Sequence, residues 1–240
     1  MLLAQGVAAA SAVVLAACGG STTPSGAGAA GTSPSPGMFE DTEFDLIIDP
    51  NRAPLVSGLV GGKAATATGS LTSGGATTIT GVLAGLDLIA HLRQQDQVRV
   101  AGGYRTTTQV AGSVGPSTTS LDGTFTLDSG YLFQKGDITG SNQGHQVQVL
   151  ALPLTGPDVR QGAALGGSFG STPIALSAVI SVGATGSVTG TVDGRTIRFD
   201  VAKGPTTPHG NFPTLRVTGN YSGPADLFAL IVGGIAYFGA

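Results

Sequence analysis

Over much of the chain, apolar and polar residues alternate one for one, the pattern of strands with one face in a core and the other in water. Phe44, Leu46 and Ile48 alternate with Asp45, Ile47 and Asp49, and this first strand ends at Pro50. The alternation returns at Val98 and Val100 around Arg99, and at Phe125 and Leu127 against Thr124 and Thr126. It is cleanest at Ile197, Phe199 and Val201, with Thr196, Arg198 and Asp200 on the other side. Asp193-Gly194, just ahead of that strand, joins two residues that tolerate positive φ, so it predicts a hairpin turn. Asp122-Gly123, ahead of Phe125, predicts a second.

Two segments depart from the alternation. Val82 to Leu92 and Leu227 to Phe238 are apolar at nearly every position, and both follow or contain an Asp-Leu pair, at Asp87 and Asp226. Periodicity alone leaves a buried strand or a short helix open for such runs. The second run is shorter than the roughly 20 apolar residues that span a bilayer. It is read as a core strand pair or a buried helix that closes the domain. Thr155 to Gly166 and Lys203 to Pro213, rich in Gly and Pro, are read as connections.

Gly58-Leu59-Val60-Gly61, Gly112-Ser113-Val114-Gly115 and Gly167-Ser168-Phe169-Gly170 share the form Gly-x-apolar-Gly. Between them lies a second form, Gly-x-apolar-x-Gly, at Gly81 to Gly85, Gly136 to Gly140 and Gly186 to Gly190 or Gly190 to Gly194. These matches predict three degenerate β units of about 55 residues. Val98 to Tyr104 is also echoed at Leu215 to Tyr221. The fold class is therefore all-β, an antiparallel sandwich or barrel, with a Gly-rich β-solenoid as the alternative. A closed body is expected to bring the Val98 and Leu215 strands together, whereas a solenoid stacks the units end to end.

Composition narrows the partners. Charged residues make up only 10% of the chain and the formal net charge is -3, which argues against nucleic acid, since that partner needs a basic patch. The absence of tryptophan weakens a carbohydrate-stacking surface. Forty glycines against three lysines, Lys63, Lys135 and Lys203, suggest a GC-rich genome.

The N-terminal stretch differs from everything after it. Residues 1 to 17 carry no charge and form a short apolar run, the core of a secretory signal. Cys18, the single cysteine of the chain, closes that run after Leu15, Ala16 and Ala17. Leu15-Ala16-Ala17-Cys18 resembles the lipobox of bacterial lipoprotein precursors, of an actinobacterial or mycobacterium-like kind. The resemblance implies diacylglyceryl transfer to the Cys18 thiol, cleavage just before it, and retention on the outer face of the cell membrane. Two acyl chains hold a protein stably where one does so only marginally. Met1 to Gly6 carries no Lys or Arg, which a signal start should have, so the natural start is read as lying upstream or the gene as trimmed. Residues 19–37 contain only Gly, Ser, Thr, Pro and Ala, too little apolar surface to offset the entropy of ordering. They read as a tether with a reach of roughly 25 Å. The organisation is thus signal peptide 1–17, lipidated Cys18 with tether to residue 37, and a β-rich extracytoplasmic domain over 38–240. With one cysteine the chain can form no internal disulfide.

The chemistry-bearing residues do not group. His91, His145 and His209 lie far apart in sequence, unlike the short spacings of a zinc site. There is no Gly-x-Ser-x-Gly elbow and no phosphate loop. Glu40 and Glu43 flank the tether, and Asp122, Asp137 and Asp193 sit beside glycine, where aspartate serves backbone turns. Arg99, Arg105, Arg195, Arg198 and Arg216 occupy polar strand positions, a solvated face or an anion-binding one. No catalytic residue, metal ligand or cofactor is assigned. Three function classes follow: a membrane-anchored binding or structural domain facing a protein, glycan or lipid of the cell envelope; a lipid or apolar-ligand carrier, which needs a cavity of several hundred Å³; and, least supported, an envelope hydrolase.

Overall fold

The computed structural model describes residues 37–69, 75–94, 97–130, 132–154, 162–181, 185–205 and 213–239. The signal, Cys18 and all but the last residue of the tether lie outside these, as does His209.

The strands are β1 (Met38–Ile48), β2 (Val56–Val60), β3 (Lys63–Thr68), β4 (Gly75–Leu83), β5 (Leu86–Gln94), β6 (Val98–Val100), β7 (Gly103–Val114) and β8 (Ser117–Asp128). They continue as β9 (Phe133–Asn142), β10 (His145–Pro153), β11 (Gly162–Phe169), β12 (Thr172–Ser181), β13 (Thr185–Val192), β14 (Arg195–Lys203) and β15 (Leu215–Pro224). One helix, α1 (Ala225–Gly239), follows directly. Each strand pairs antiparallel with its neighbours, β15 returns to β1, and β5 pairs with β7. The sheet therefore closes on itself. β5 covers Thr108 to Val114 of β7 while β6 covers Gly103 to Arg105, so those two short strands share one place in the wall. The result is a 14-stranded antiparallel barrel, which excludes the solenoid.

The alternation explains which way the wall faces. Phe44, Leu46, Ile48, Phe125, Ile197, Phe199, Leu215 and Val217 all point inward and are buried. The alternate positions, such as Asp45, Arg198, Asp200 and Arg216, carry charge on the outside. The outer face mixes these charges and neutral polar residues with exposed apolar ones such as Leu59, Ile89, Leu150 and Leu152, and the lumen is apolar, where that of a membrane-spanning barrel is polar. About eight strands suffice for side chains to fill a barrel, so fourteen leave a lumen that must hold something else. Here it holds α1. The helix is apolar nearly all round and buried nearly all round, as a helix enclosed by protein must be.

The two ends of the barrel differ. At one end, six two-residue turns join β2 to β3, β4 to β5, β7 to β8, β9 to β10, β11 to β12 and β13 to β14. At Gly61-Gly62, Ala84-Gly85, Gln143-Gly144 and Asp193-Gly194 both residues have positive φ, the type I′ form whose twist matches the strands. β1 begins and β15 finishes at this same end, since Met38 pairs with Pro224. The longer connections, those that follow β1, β3, β5, β8, β10, β12 and β14, lie at the other end, together with the two-residue turn Ala101-Gly102 between β6 and β7.

Asp193-Gly194 is the turn its sequence predicts. Asp122-Gly123 is not: it lies inside β8, where Asp122 faces outward and accepts a bond from Gln109 Nε2 at 2.9 Å, while Gly123 faces the lumen. The run from Val82 to Leu92 is the β4–β5 hairpin, turned at Ala84-Gly85, and the run from Leu227 to Phe238 is helix. Of the connection expected over Thr155 to Gly166, Gly162 onward is β11. Val98 and Leu215 do not meet: β6 borders β7, and β15 sits between β1 and β14.

The glycine pattern has a shorter unit than 55 residues. Gly58, Gly81, Gly112, Gly140, Gly167 and Gly190 each face the lumen two residues before the turn end of a strand, and Gly219 takes the matching inward position in β15, which runs five residues further to Pro224. The 55-residue period thus contains two hairpins. At Gly190 (φ +147°) and Gly219 (φ +153°) a Cβ would lie 2.0 and 1.9 Å from the carbonyl oxygens of Ala175 and Arg198. Neighbouring backbones approach too closely there for any other residue, the role that glycine plays where a sheet is curved or kinked.

Candidate functional site

The lumen and the helix within it form the candidate site. Two residues beyond each glycine comes another inward position, the last of its strand in every case but Tyr221: Val60, Leu83, Val114, Asn142, Phe169, Val192 and Tyr221, all buried. Six of them are apolar or aromatic, and Asn142 stands out. Its Nδ2 donates to Asp226 Oδ2 at the start of α1 and to Thr119 Oγ1 at 2.9 Å. Thr119, on the adjacent strand β8, donates its hydroxyl to the same Asp226 oxygen at 3.0 Å. The other carboxylate oxygen, Oδ1, accepts the backbone N–H of Leu227 at 3.0 Å.

Asp226 is fully buried, and burial pushes its carboxyl above the ordinary carboxylate value of 3.8. The bonds from Thr119, Leu227 and Asn142 oppose that rise. A carboxylate in the first turn of a helix also meets the positive end of the helix dipole. A buried carboxylate with its acceptors filled is a register lock: only one insertion depth of α1 places it against Thr119 and Asn142.

An aromatic cluster completes the base. Phe228 lies 5.5 Å from Phe39, 5.0 Å from Phe44, 5.5 Å from Phe199 and 5.3 Å from Tyr221, centroid to centroid. Three strands, β1, β14 and β15, thereby grip one helix residue, with mostly tilted or edge-to-face contacts of the kind aromatic rings prefer. Tyr221 donates its hydroxyl to the Pro224 carbonyl at 2.9 Å, and burial holds its phenol well above the usual range. Gly37, the last tether residue, accepts the N–H of Ala225 at 2.7 Å, and Asp41 N–H donates to Ser222 Oγ at 2.8 Å. The tether thus meets the barrel where the helix enters it.

Above this base the packing loosens. A cavity of about 70 Å³ separates α1 from the β8–β13 wall, and another of about 60 Å³ lies on the opposite side, against β1–β5. Gly234 lines the first and Gly233 the second.

The residues singled out by sequence are scattered. His91, on the outside of β5, shares a hydrogen bond with Thr78 at 3.1 Å, and His145 begins β10 at the turn end. Glu40 and Glu43 are exposed on β1. No group of three or more His, Cys, Asp or Glu able to hold a metal occurs among the described residues. Arg195, Arg198 and Arg216 are exposed and paired with Glu40, Asp200 and Asp45, while Arg99 and Arg105 lie elsewhere, on β6 and β7. The five arginines therefore do not line one face. Leu15, Ala16, Ala17 and Cys18 fall outside the described residues. Asp226, Asn142, Thr119 and Phe228 were not legible as a site; the signals present were Pro224-Ala225-Asp226, a helix start, and the polar Asn142 in an otherwise apolar series. No protein-family model, no curated protein and no solved structure matches the chain.

Proposed function

We propose that this chain is a lipid-anchored protein of the cell envelope, held through Cys18, whose barrel presents its loop end to an envelope partner. The observation that carries this is the polarity of the barrel. The tether joins at the turn end, beside the helix entry, and every longer connection lies at the opposite end. A chain anchored upstream of Gly37 would hold the turns toward the membrane and the loops away from it. Loops on a rigid scaffold are where binding surfaces concentrate. The apolar lumen, with charged pairs such as Asp45–Arg216 and Arg198–Asp200 on the outer face, suits a barrel standing in water.

Two measurements test the reading. Cys18→Ser should release the protein from the membrane fraction or leave the precursor uncleaved. Retention and processing identical to the parent would refute the anchor. A photo-cross-linker at Leu132, at the loop end, should capture envelope components in intact cells where one at His145, at the turn end, does not. Adducts confined to His145 would reverse the orientation.

A second reading, a carrier of apolar ligands, is favoured by the cavities beside α1. As they stand, they are smaller than the roughly 300 Å³ or more of a drug-sized site.

A further inference from the structure

We propose that the space beside α1 is a binding site for an uncharged hydrocarbon, one chain or one ring wide, and that the upper part of the helix shifts to admit it. The inference rests on the carrier reading and is independent of the anchor.

The larger cavity is bounded by Leu121, Val149, Leu176 and Val188 of the wall and by Leu230 and Gly234 of α1. Protein interiors pack to crystal density and keep few voids larger than a water molecule. At about 70 Å³ this one exceeds the roughly 10–15 Å³ that a single water needs. A water bound there needs two to four polar partners, and these side chains supply only carbon. A carbon-lined space favours apolar guests over water, and the two cavities, about 130 Å³ taken together, approach the roughly 150 Å³ of a void lined by Leu, Ile and Phe that accepts benzene.

The sequence keeps the space open. Glycine inside a helix is disfavoured relative to alanine, yet Gly233 and Gly234 stand in the middle of α1, one on each cavity. Across the second cavity the wall itself is trimmed to Ala65, Ala67 and Ala90. One helix thus divides a single apolar volume in two. Its base is fixed by Asp226 and Phe228, and the part beyond Leu230 lies between the two voids. A tilt of that part toward β1–β5 passes the volume of the smaller cavity to the larger. The guest carries no charge, because no charged side chain lines either cavity.

The test uses the full chain with Cys18→Ser, so that no attached acyl group competes, and n-hexane and benzene as probes. Near saturation, either probe should raise the thermal midpoint by about 2–4 °C. Gly234→Leu, which fills the larger cavity from the helix, should abolish that rise. Ala178→Leu does the same from the wall and serves if the first variant folds poorly. Native mass spectrometry of the chain from a bacterial host separates the sources. A co-purified lipid lost in Gly234→Leu identifies an acyl chain; a bare protein that responds to hexane identifies a small free hydrocarbon. No midpoint change with either probe, or a change that survives both substitutions, would overturn the site. Either result leaves the membrane retention of the parent untouched, so this proposal and the anchor fail separately.

Discussion

The turn end and the loop end of this barrel are built on opposite principles. At the turn end each connection is two residues long, and α1 enters through a filled hydrogen-bond set and four aromatic contacts. At the loop end every connection but the β6–β7 turn is longer, and the helix passes between two voids. The first end specifies one register, and the second leaves volume unspent. A 14-stranded wall cannot fill its own lumen, so the helix supplies the core, and only half of that core is packed tightly.

The sharpest way to break this contrast is to remove the grip at the base. Phe228→Ala deletes the ring that β1, β14 and β15 share, and should cost about 3–5 kcal/mol. Chemical denaturation measures it, and loss of protection of α1 amides in hydrogen exchange should exceed that of the wall. An equally small loss in both would mean that the base does not hold the helix. Gly190→Ala attacks the wall instead. The new Cβ meets the Ala175 carbonyl at 2.0 Å from a backbone at φ +147°. Shifting the β12–β13 pair to relieve it should cost on the order of 2–4 kcal/mol. A cost under half a kcal/mol would show that the glycine belt is not needed for curvature.

The polar lock comes next in size. Asp226→Ala takes away the buried acceptor that the Asn142 amide and the Thr119 hydroxyl share, leaving Asn142 its bonds to Thr119 and to the Thr118 carbonyl, at about 1–3 kcal/mol. Replacing all three by apolar residues of similar volume should recover much of that loss, because only the one-sided removal leaves polar groups short of a buried acceptor. A triple variant as unstable as the single one would argue that the carboxylate does more than set register. Gly234→Ala, at the loop end, has the opposite sign. It should raise stability by about 1 kcal/mol through helix propensity alone. That gain distinguishes the slack end of α1 from its base, where no small change is expected to help.

These differences track what the sequence made legible. The strands around Phe44, Phe125 and Phe199 follow from alternation, because each has one apolar face, and Asp193-Gly194 follows from turn chemistry. Closure of the barrel does not: the pairing of β5 with β7 depends on the sum of twists around the whole ring, and no local pattern encodes it. The helix stayed ambiguous because a lumen that surrounds it on all sides removes the very periodicity by which helices are read. Asn142 carries no signal of its own in the sequence, because a polar residue directly before Gln143-Gly144 is ordinary turn chemistry. Only the series of inward positions, from Val60 to Tyr221, shows it as the polar exception.

The smallest effect concerns pH, and its direction separates the buried lock from the exposed ion pairs. Burial raises the Asp226 carboxyl above 3.8, so the unfolded chain ionises it more readily than the folded one. As pH rises from 3.8 through the raised folded value, stability falls; acidification through that window restores it. Asp45 and Asp200 behave in the opposite sense. Their hydrogen bonds to Arg216 and Arg198 hold both carboxyls below 3.8, so their contribution is present above 3.8 and is lost as pH falls through their lowered values. Both pairs are largely exposed, and solvent keeps them weak. Between neutrality and pH 3.8 the parent should therefore grow more stable on acidification, and below that range it should weaken again. Asp226→Asn should flatten the upper limb and leave the lower one in place, read from unfolding midpoints across the pH series. Identical profiles in parent and variant would mean that Asp226 ionises as easily inside the barrel as in water, which its enclosure by Thr119, Asn142 and the first turn of α1 argues against.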